Sequence, residues 1–451
     1  MSGGPDTPGS SGPATPVSPA PATPSSRAPG ARGPRGRGSR LLPASASPAA
    51  RLIVGARALR GFADGLVSVL LAVHLTRLGL SPVQVGAIVT GTLLGSAALT
   101  LAVGLFAGRV PTRTLLLASC GLMFATGIGF ASVSAFAPLL LLAVVGTLNP
   151  SAGDVSVFLP TEQSQLADEV APRERPHLYA RYNLAGALAG AVGALASGLP
   201  GLASGSFGVD VLTLERVGFL LYALVAVAAA CTYRALPREQ DGPAVVVRRP
   251  LRASRRIVLE LAALFSIDSA ASGLVVQSLL VLWLRLRFDL SVPATATVFF
   301  LSGLLGAASQ LLAGRVAARI GLVRAMAYTH LPANALLIVA GLAPSAALAV
   351  GALLLRALCS QMDVPARQAF VMAVVPPEER AAAASVTNVP RSLASAATPL
   401  LGGYLLSSGR LGWPLAIAGV AKIGYDLVLL ARFGSLVHAD DPRDGPDAPN
   451  A

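Results

Sequence analysis

Twelve stretches of this chain are each apolar for about twenty residues, the length that crosses a bilayer as a helix. They lie near 52–75, 83–107, 114–133, 136–164, 178–202, 216–234, 257–284, 294–317, 322–342, 345–374, 384–407 and 412–433. Lipid offers no water to peptide groups, so each stretch must close its hydrogen bonds within itself, as a helix. Composition agrees, with 53% hydrophobic and 13% charged residues, against about 25% charged in soluble domains. The expectation is an all-α polytopic membrane protein, its spans numbered 1 to 12 in chain order.

The polar segments divide the chain further. Residues 1–50 hold mainly Pro, Ser, Thr, Ala and Gly, too few large apolar groups to offset the entropy of ordering, so a disordered tail is expected. A first six-helix bundle then covers 51–235, a basic linker 236–256, a second bundle 257–435 and a polar tail 436–451. The formal net charge of +13 raises nucleic acid as a partner, but the arginines cluster between spans, above all in 234-RALPREQDGPAVVVRRPLRASRR-256. That is the positive-inside pattern, and it predicts both termini in the cytoplasm, in a plasma (inner) membrane, with no nucleic acid bound. Cys120, Cys231 and Cys359 have no paired spacing, so neither a disulfide framework nor a zinc site is expected. No P-loop, H-E-x-x-H or G-x-S-x-G occurs, which predicts no enzyme, no cofactor and no ATP-driven step.

An internal repeat relates the two bundles. A shift of 210 residues places Gly104 on Gly314, Ala107 on Ala317, Arg109 on Arg319 and Ser81 on Ser291. A shift of 205 places Pro160 on Pro365, Gln163 on Gln368, Asn183 on Asn388 and Gly198 on Gly403. Duplicated bundles are a mark of secondary transporters.

The loop 104-GLFAGRVPTR-113 and its copy 314-GRVAARIGLVR-324 resemble the short motif between helices 2 and 3 of the major facilitator superfamily, G-x-L-A-D-R-x-G-R-R. The resemblance covers roughly residues 52 to 433. It implies a gating loop built by Gly104, Arg109 and Arg113, repeated by Gly314, Arg319, Gly321 and Arg324, although Gly108 and Ala318 stand where the family has Asp. The family's exporter-associated helix 5 motif is degenerate as 189-AGAVGALASG-198, which keeps Gly193 and Gly198, while 394-ASAATPLLGG-403 in span 11 is closer, with Pro399, Gly402 and Gly403. An exporter-type hinge and plain small-residue packing both account for these positions.

Ionisable residues inside a bilayer are expensive and suggest function. Spans 1, 4, 7 and 10 carry Asp64, Asp154, Asp268 and Asp363, and the resemblance implies that these spans line a central cavity, so four carboxylates would face one water-filled space. Arg57 and Arg60 share a helical stripe with Asp64; Arg356 and Arg367 flank Asp363; Glu162 and Arg391 are further candidates. Two readings stay open for Arg60 and Asp64: an ion pair that fixes packing, or a carboxylate that takes up and releases a proton. His74 is expected at the membrane interface, Lys422 and Asp426 as a local i, i+4 pair, and no metal site from the histidines. The resulting expectation is a monomeric secondary transporter whose partners are protons, a small-molecule substrate and the lipid bilayer, exporting an organic, cationic or amphipathic compound by proton antiport. Uptake by symport is the alternative, and a non-transporting sensor or scaffold ranks below it.

Overall fold

A computed structural model describes residues 47–106, 110–151, 157–169, 175–237 and 254–434. The two tails, most of the basic linker, and with them Asp154 and Arg109, lie outside the described residues. Spans 1 to 3 are α1 (Pro48–Arg77), α2 (Pro82–Phe106) and α3 (Thr112–Ser132). Span 4 is α4 (Phe136–Val145) with α5 (Leu159–Asp168), span 5 is α6 (Arg175–Ala196) with α7 (Leu199–Phe207), and span 6 is α8 (Val211–Arg234). Span 7 is α9 (Arg255–Leu274) with α10 (Gln277–Phe288), followed by α11 (Val292–Ile320) and α12 (Leu322–Leu342) as spans 8 and 9. Span 10 is α13 (Ala346–Ser360) with α14 (Asp363–Ala373), span 11 is α15 (Arg380–Ala397) with α16 (Pro399–Ser407), and span 12 is α17 (Trp413–Phe433). Among the described residues, ten helical stretches are long and apolar enough to cross a membrane, two of them counted across breaks at 177–206 and 346–373. The broken spans 4 and 11 complete the twelve.

Local chemistry explains where helices start and break. Ser47, Asp210, Ser291 and Ser345 each accept a backbone N–H from the first turn of α1, α8, α11 and α13. Ser81 and Gln84 bond reciprocally at the start of α2, a capping box. Five spans that read as continuous in sequence are interrupted. Pro200 and Pro399 open α7 and α16, and Pro365 near the start of α14 has no N–H for the carbonyl four residues earlier. Gly321, at φ 84°, joins α11 to α12 in a conformation that side-chain-bearing residues avoid.

Two lobes follow, α1–α8 and α9–α17, built by the same pairings. Span 1 packs on spans 5 and 6 and span 3 on span 6, while span 7 packs on spans 11 and 12 and span 9 on span 12. The hydroxyl of Ser47 donates to Glu169 in one lobe, and the N–H of Ser254 donates to Glu379 at 3.1 Å in the other. These matched contacts mark the face that carries the chain ends, here the terminal face.

The lobes meet where span 2 packs on span 11 and span 5 on span 8, and the closest approaches lie in the half away from the terminal face. A Cβ at Gly86 would sit 2.7 Å from the carbonyl oxygen of Pro399, and one at Gly198 would sit 3.1 Å from the Ala296 methyl. Two helix breaks interlock here. The Pro150 carbonyl, released by the break in span 4, accepts the Ser278 N–H at 3.3 Å, while the Ser278 hydroxyl donates to the Ser68 carbonyl at 2.8 Å and Gln277 to the Ser68 hydroxyl at 2.8 Å. Each bond stabilises the sealed state by about 0.5–1.5 kcal/mol. Gln277→Leu with Ser278→Ala should therefore populate the form open on the opposite face, lengthening the distance between spin labels at Ser81→Cys and Ser408→Cys. An unchanged distance distribution would rule the clasp out.

The terminal halves diverge instead. Along α1, Gly55 is exposed, with open space where a Cβ would be, and Leu59 and Phe62 above it are part-exposed. The same stripe continues as Leu66, Val69 and Val73, all buried, in the half where α10 packs against α1. Span 7 repeats the pattern with exposed Leu259, Ala263 and Ile267. A cleft between the lobes thus opens on the terminal face.

Candidate functional site

Each lobe buries a cluster of charges. In the first, the Arg60 guanidinium forms an ion pair with Glu162, its Nε donates to the Tyr233 hydroxyl at 3.1 Å, and it stacks 4.2 Å from the centre of the Phe158 ring. The hydroxyls of Tyr182 and Tyr233 both donate to Glu162, so that carboxylate is saturated. Arg60 and Glu162 are 1% and 0% exposed. Burial at this depth is tolerable only because every charge-bearing atom of Glu162 is answered.

Asp64, one turn along α1, is held differently. It is 6% exposed, and its Oδ2 has no hydrogen-bond partner among the described residues. With Ser96, Thr147 and Tyr222 it lines a small polar cavity, with room for about one water. Arg57, a turn before Arg60, lies 5.5 Å from the centre of the Tyr182 ring, and its Nε and Nη1 have no partner among the described residues.

The second lobe inverts the polarity. Asp268 in α9 accepts Lys422 Nζ at 2.6 Å and Arg367 Nη1 at 3.5 Å, and Arg367 also pairs with Asp363. Behind them Asp426 accepts Asn334 Nδ2 at 2.9 Å and lies 3.1 Å from His330 Nδ1. A shift of 208 carries Arg60 onto Asp268, and the shift of 205 carries Glu162 onto Arg367. The cation sits on the first span of one lobe and the anion on the first span of the other, each facing an opposite charge on the fourth span. Arg391 donates to the Ser269 hydroxyl at 2.9 Å, while the Nε of Arg356 is buried without a partner among the described residues.

Several expectations need correction. Asp64, Asp268 and Asp363 do not line a shared cavity. At about 100° per residue, Arg57, Arg60 and Asp64 lie on the side of α1 away from Leu59 and Phe62. Ile267 is 48% exposed and its neighbour Asp268 only 3%, for the same reason. The charges point into the lobes, where backbone-close packing and tyrosines replace water, and spans 1 and 7 present apolar side chains to the cleft. Arg60 pairs with Glu162 rather than Asp64. Lys422 and Asp426 do not pair with each other, because Asp268 takes the lysine and the His330 and Asn334 side chains take Asp426. His74, near the end of α1, is fully buried against its own lobe, 3.2 Å from Glu215, which also binds Arg77 at 2.6 Å.

The other expected residues divide by seam. Arg113 Nη2 donates to the Arg234 carbonyl, where a cation suits the C-terminal end of α8. Gly104 and Gly314 lie within α2 and α11, and Arg319 and Arg324 are exposed, with no ion pair among the described residues. Gly193 meets the Phe62 backbone inside the first lobe and Gly402 meets Leu274 inside the second, whereas Gly198, Pro399 and Gly403 lie between lobes. Tyr233 was not foreseen. Nor was the glycine seam of 61-GFADG-65 on 186-GALAG-190, whose four-residue glycine spacing was a readable signal of close helix approach; Gly61 and Gly65 lie against the backbones of Gly186 and Gly190.

The sequence model of the major facilitator superfamily matches residues 53–355 and again 261–449. An uncharacterized membrane protein of Saccharomyces cerevisiae is 24% identical over 410 residues, which cover 83% of this chain and 92% of the yeast protein. Among solved structures, the nucleoside transporter NupG superposes with a TM-score of 0.66 at 13% identity, covering 85% of this chain and 99% of NupG. A D-xylose-proton symporter gives 0.66 at 14% identity over 84% and 97%, and a bacterial homologue of the iron transporter ferroportin, in an inward-facing state, gives 0.65 at 14% over 85% and 98%. These likenesses concern the fold, while the family model spans both lobes: the chain belongs to the major facilitator superfamily, a multi-pass membrane transporter of small molecules rather than an enzyme.

Proposed function

We propose that the protein is a proton-coupled secondary transporter of the plasma membrane, monomeric, with its terminal face cytoplasmic, exporting a small organic compound by antiport. Asp64 carries this reading. It is a carboxylate at mid-span with one oxygen unpaired among the described residues, beside a cavity of water size and within one stripe of two guanidiniums. Such a group gains or loses a proton when the arginines or the cavity shift, and α1, which carries it, lies between its own lobe and α10 of the other. Export is supported by Pro399 and Gly403, which place the exporter-like segment of span 11 in the inter-lobe seam.

The test is solute-induced proton current across proteoliposomes, read with a panel of sugars, nucleosides, amino acids, organic anions and amphiphilic cations. Asp64→Asn should abolish the current while leaving solute counterflow intact. A variant with undiminished proton current would remove Asp64 from coupling. Direction is read in the same vesicles: solute moving against the proton flow is antiport, and solute moving with it makes the protein a symporter.

A further inference from the structure

We infer that the cleft binds an uncharged, partly apolar solute, held by a matched pair of amides, Asn183 from one lobe and Asn388 from the other; this rests on the transport reading above. The two asparagines correspond under the 205-residue repeat, and both are exposed although they sit well inside spans 5 and 11. Their helical stripes identify the space they face. Asn183 continues through Ala187 to Ala191, which packs on Gly303 of span 8, and Asn388 continues through Ser392 to Pro399, which packs on Gly86 of span 2. Both stripes therefore face the opposite lobe, in contact where the lobes are sealed and open where they part.

Spans 1 and 7 add an apolar wall, with Leu59, Phe62, Ala263 and Ile267 part-exposed or exposed, and the part-exposed Arg391, three residues from Asn388, is drawn to the Ser269 hydroxyl at 2.9 Å. The nearest carboxylates are turned away and engaged inside the lobes, Glu162 by Arg60 and Asp268 by Lys422 and Arg367. An ionised solute entering such a cleft would lose its hydration and meet no unengaged counter-charge from these pairs, a large penalty. A neutral solute gives up only hydrogen bonds to water, and two amides, each with donor and acceptor capacity, replace them. This departs from the cationic substrate expected from the acidic residues, because those residues do not reach the cleft.

The test needs no known substrate. In a background with Cys120, Cys231 and Cys359 changed to Ser, Asn183→Cys and Asn388→Cys are reacted with neutral, cationic and anionic methanethiosulfonate reagents, with rates normalised to a free thiol. Where either fails to fold, Ser385→Cys on the Asn388 stripe replaces Asn388→Cys, and Ala187→Cys on the Asn183 stripe replaces Asn183→Cys. Both thiols should react, with cationic and anionic rates within about threefold of each other and the neutral reagent fastest, since no strong local potential favours either ion. A preference of about tenfold or more for either charge would overturn the neutral-solute assignment and leave the transport reading standing. Failure of both thiols to react would remove the asparagines from the cleft. The transport reading itself is judged separately, by the proton current.

Discussion

Arg60→Ala should remove about 3–5 kcal/mol of stability, because it strands the buried Glu162 carboxylate without its counter-charge. Total stabilities of about 5–15 kcal/mol are usual, so most of the folded protein should disappear from detergent extracts at growth temperature. The loss is not the value of the ion pair itself. Taking both charges out of water costs nearly what their attraction returns, so Arg60→Met combined with Glu162→Gln should recover much of the folded yield. Glutamine keeps an acceptor for the Tyr182 and Tyr233 hydroxyls that now bind Glu162. Thermal unfolding followed by size-exclusion fluorescence measures all three proteins. If the double variant melts as low as Arg60→Ala, the desolvation argument is wrong and the pair stabilises the lobe outright.

The inverted cluster in the second lobe gives that argument a second setting. Asp268 faces two cations, Lys422 and Arg367, and since Arg367 keeps Asp363 as a partner, its removal strands Lys422 as removal of Arg60 strands Glu162. One repeat has kept the same geometry with opposite signs, which indicates that the lobes require a buried charge pair at this depth more than they require a particular polarity. A carboxylate outside the pair, as Asp64 is, is then the group most open to change of protonation.

The sequence disclosed the spans, the repeat and the family, because hydropathy, offset and loop motifs are properties of the chain itself. It also located Arg57, Arg60, Asp64, Asp268 and Asp363 along their spans. What it did not disclose was which side of each span the charges face. Arg60 and Leu59 are neighbours in sequence but lie about 100° apart around the helix, and only the packing of α1 on α6 decides which of them sees the cleft. The glycines at 61, 65, 186 and 190 held that information, since they bring α6 against the charged side of α1 and leave the other side free. Pairings such as Lys422 with Asp268 span more than 150 residues, and i, i+4 spacing alone favoured the local partner, Asp426. The break in span 7 was hidden for another reason: neither Val275 nor Val276 is a helix breaker, and the clasp at Ser278 forms only when the lobes meet. In span 4, by contrast, Gly146 and the Asn149, Pro150 pair were a readable signal.

The same distinction between seams within a lobe and seams between lobes separates two glycine variants that look alike in sequence. Gly65→Leu places a side chain against the Gly190 backbone, inside one lobe. That contact persists whichever way the lobes rock, so the clash is felt in every state and folded protein should be lost. Gly86→Leu places the same side chain against Pro399 and Gly403, across the lobe boundary. Here the overpacking cost of about 1–3 kcal/mol falls only on the form sealed on the opposite face. The protein escapes by opening, so Gly86→Leu should fold with near-normal yield and melting temperature. The equilibrium should move about five- to 150-fold toward the opposite-open state, and transport should slow because each cycle must pass through the disfavoured closure. Spin-label distances between Ser81→Cys and Ser408→Cys report the shift directly, and yield reports the fold. Loss of folded Gly86→Leu protein to the same degree as Gly65→Leu would mean that the span 2 to span 11 seam never parts, and the lobes would then not rock about it.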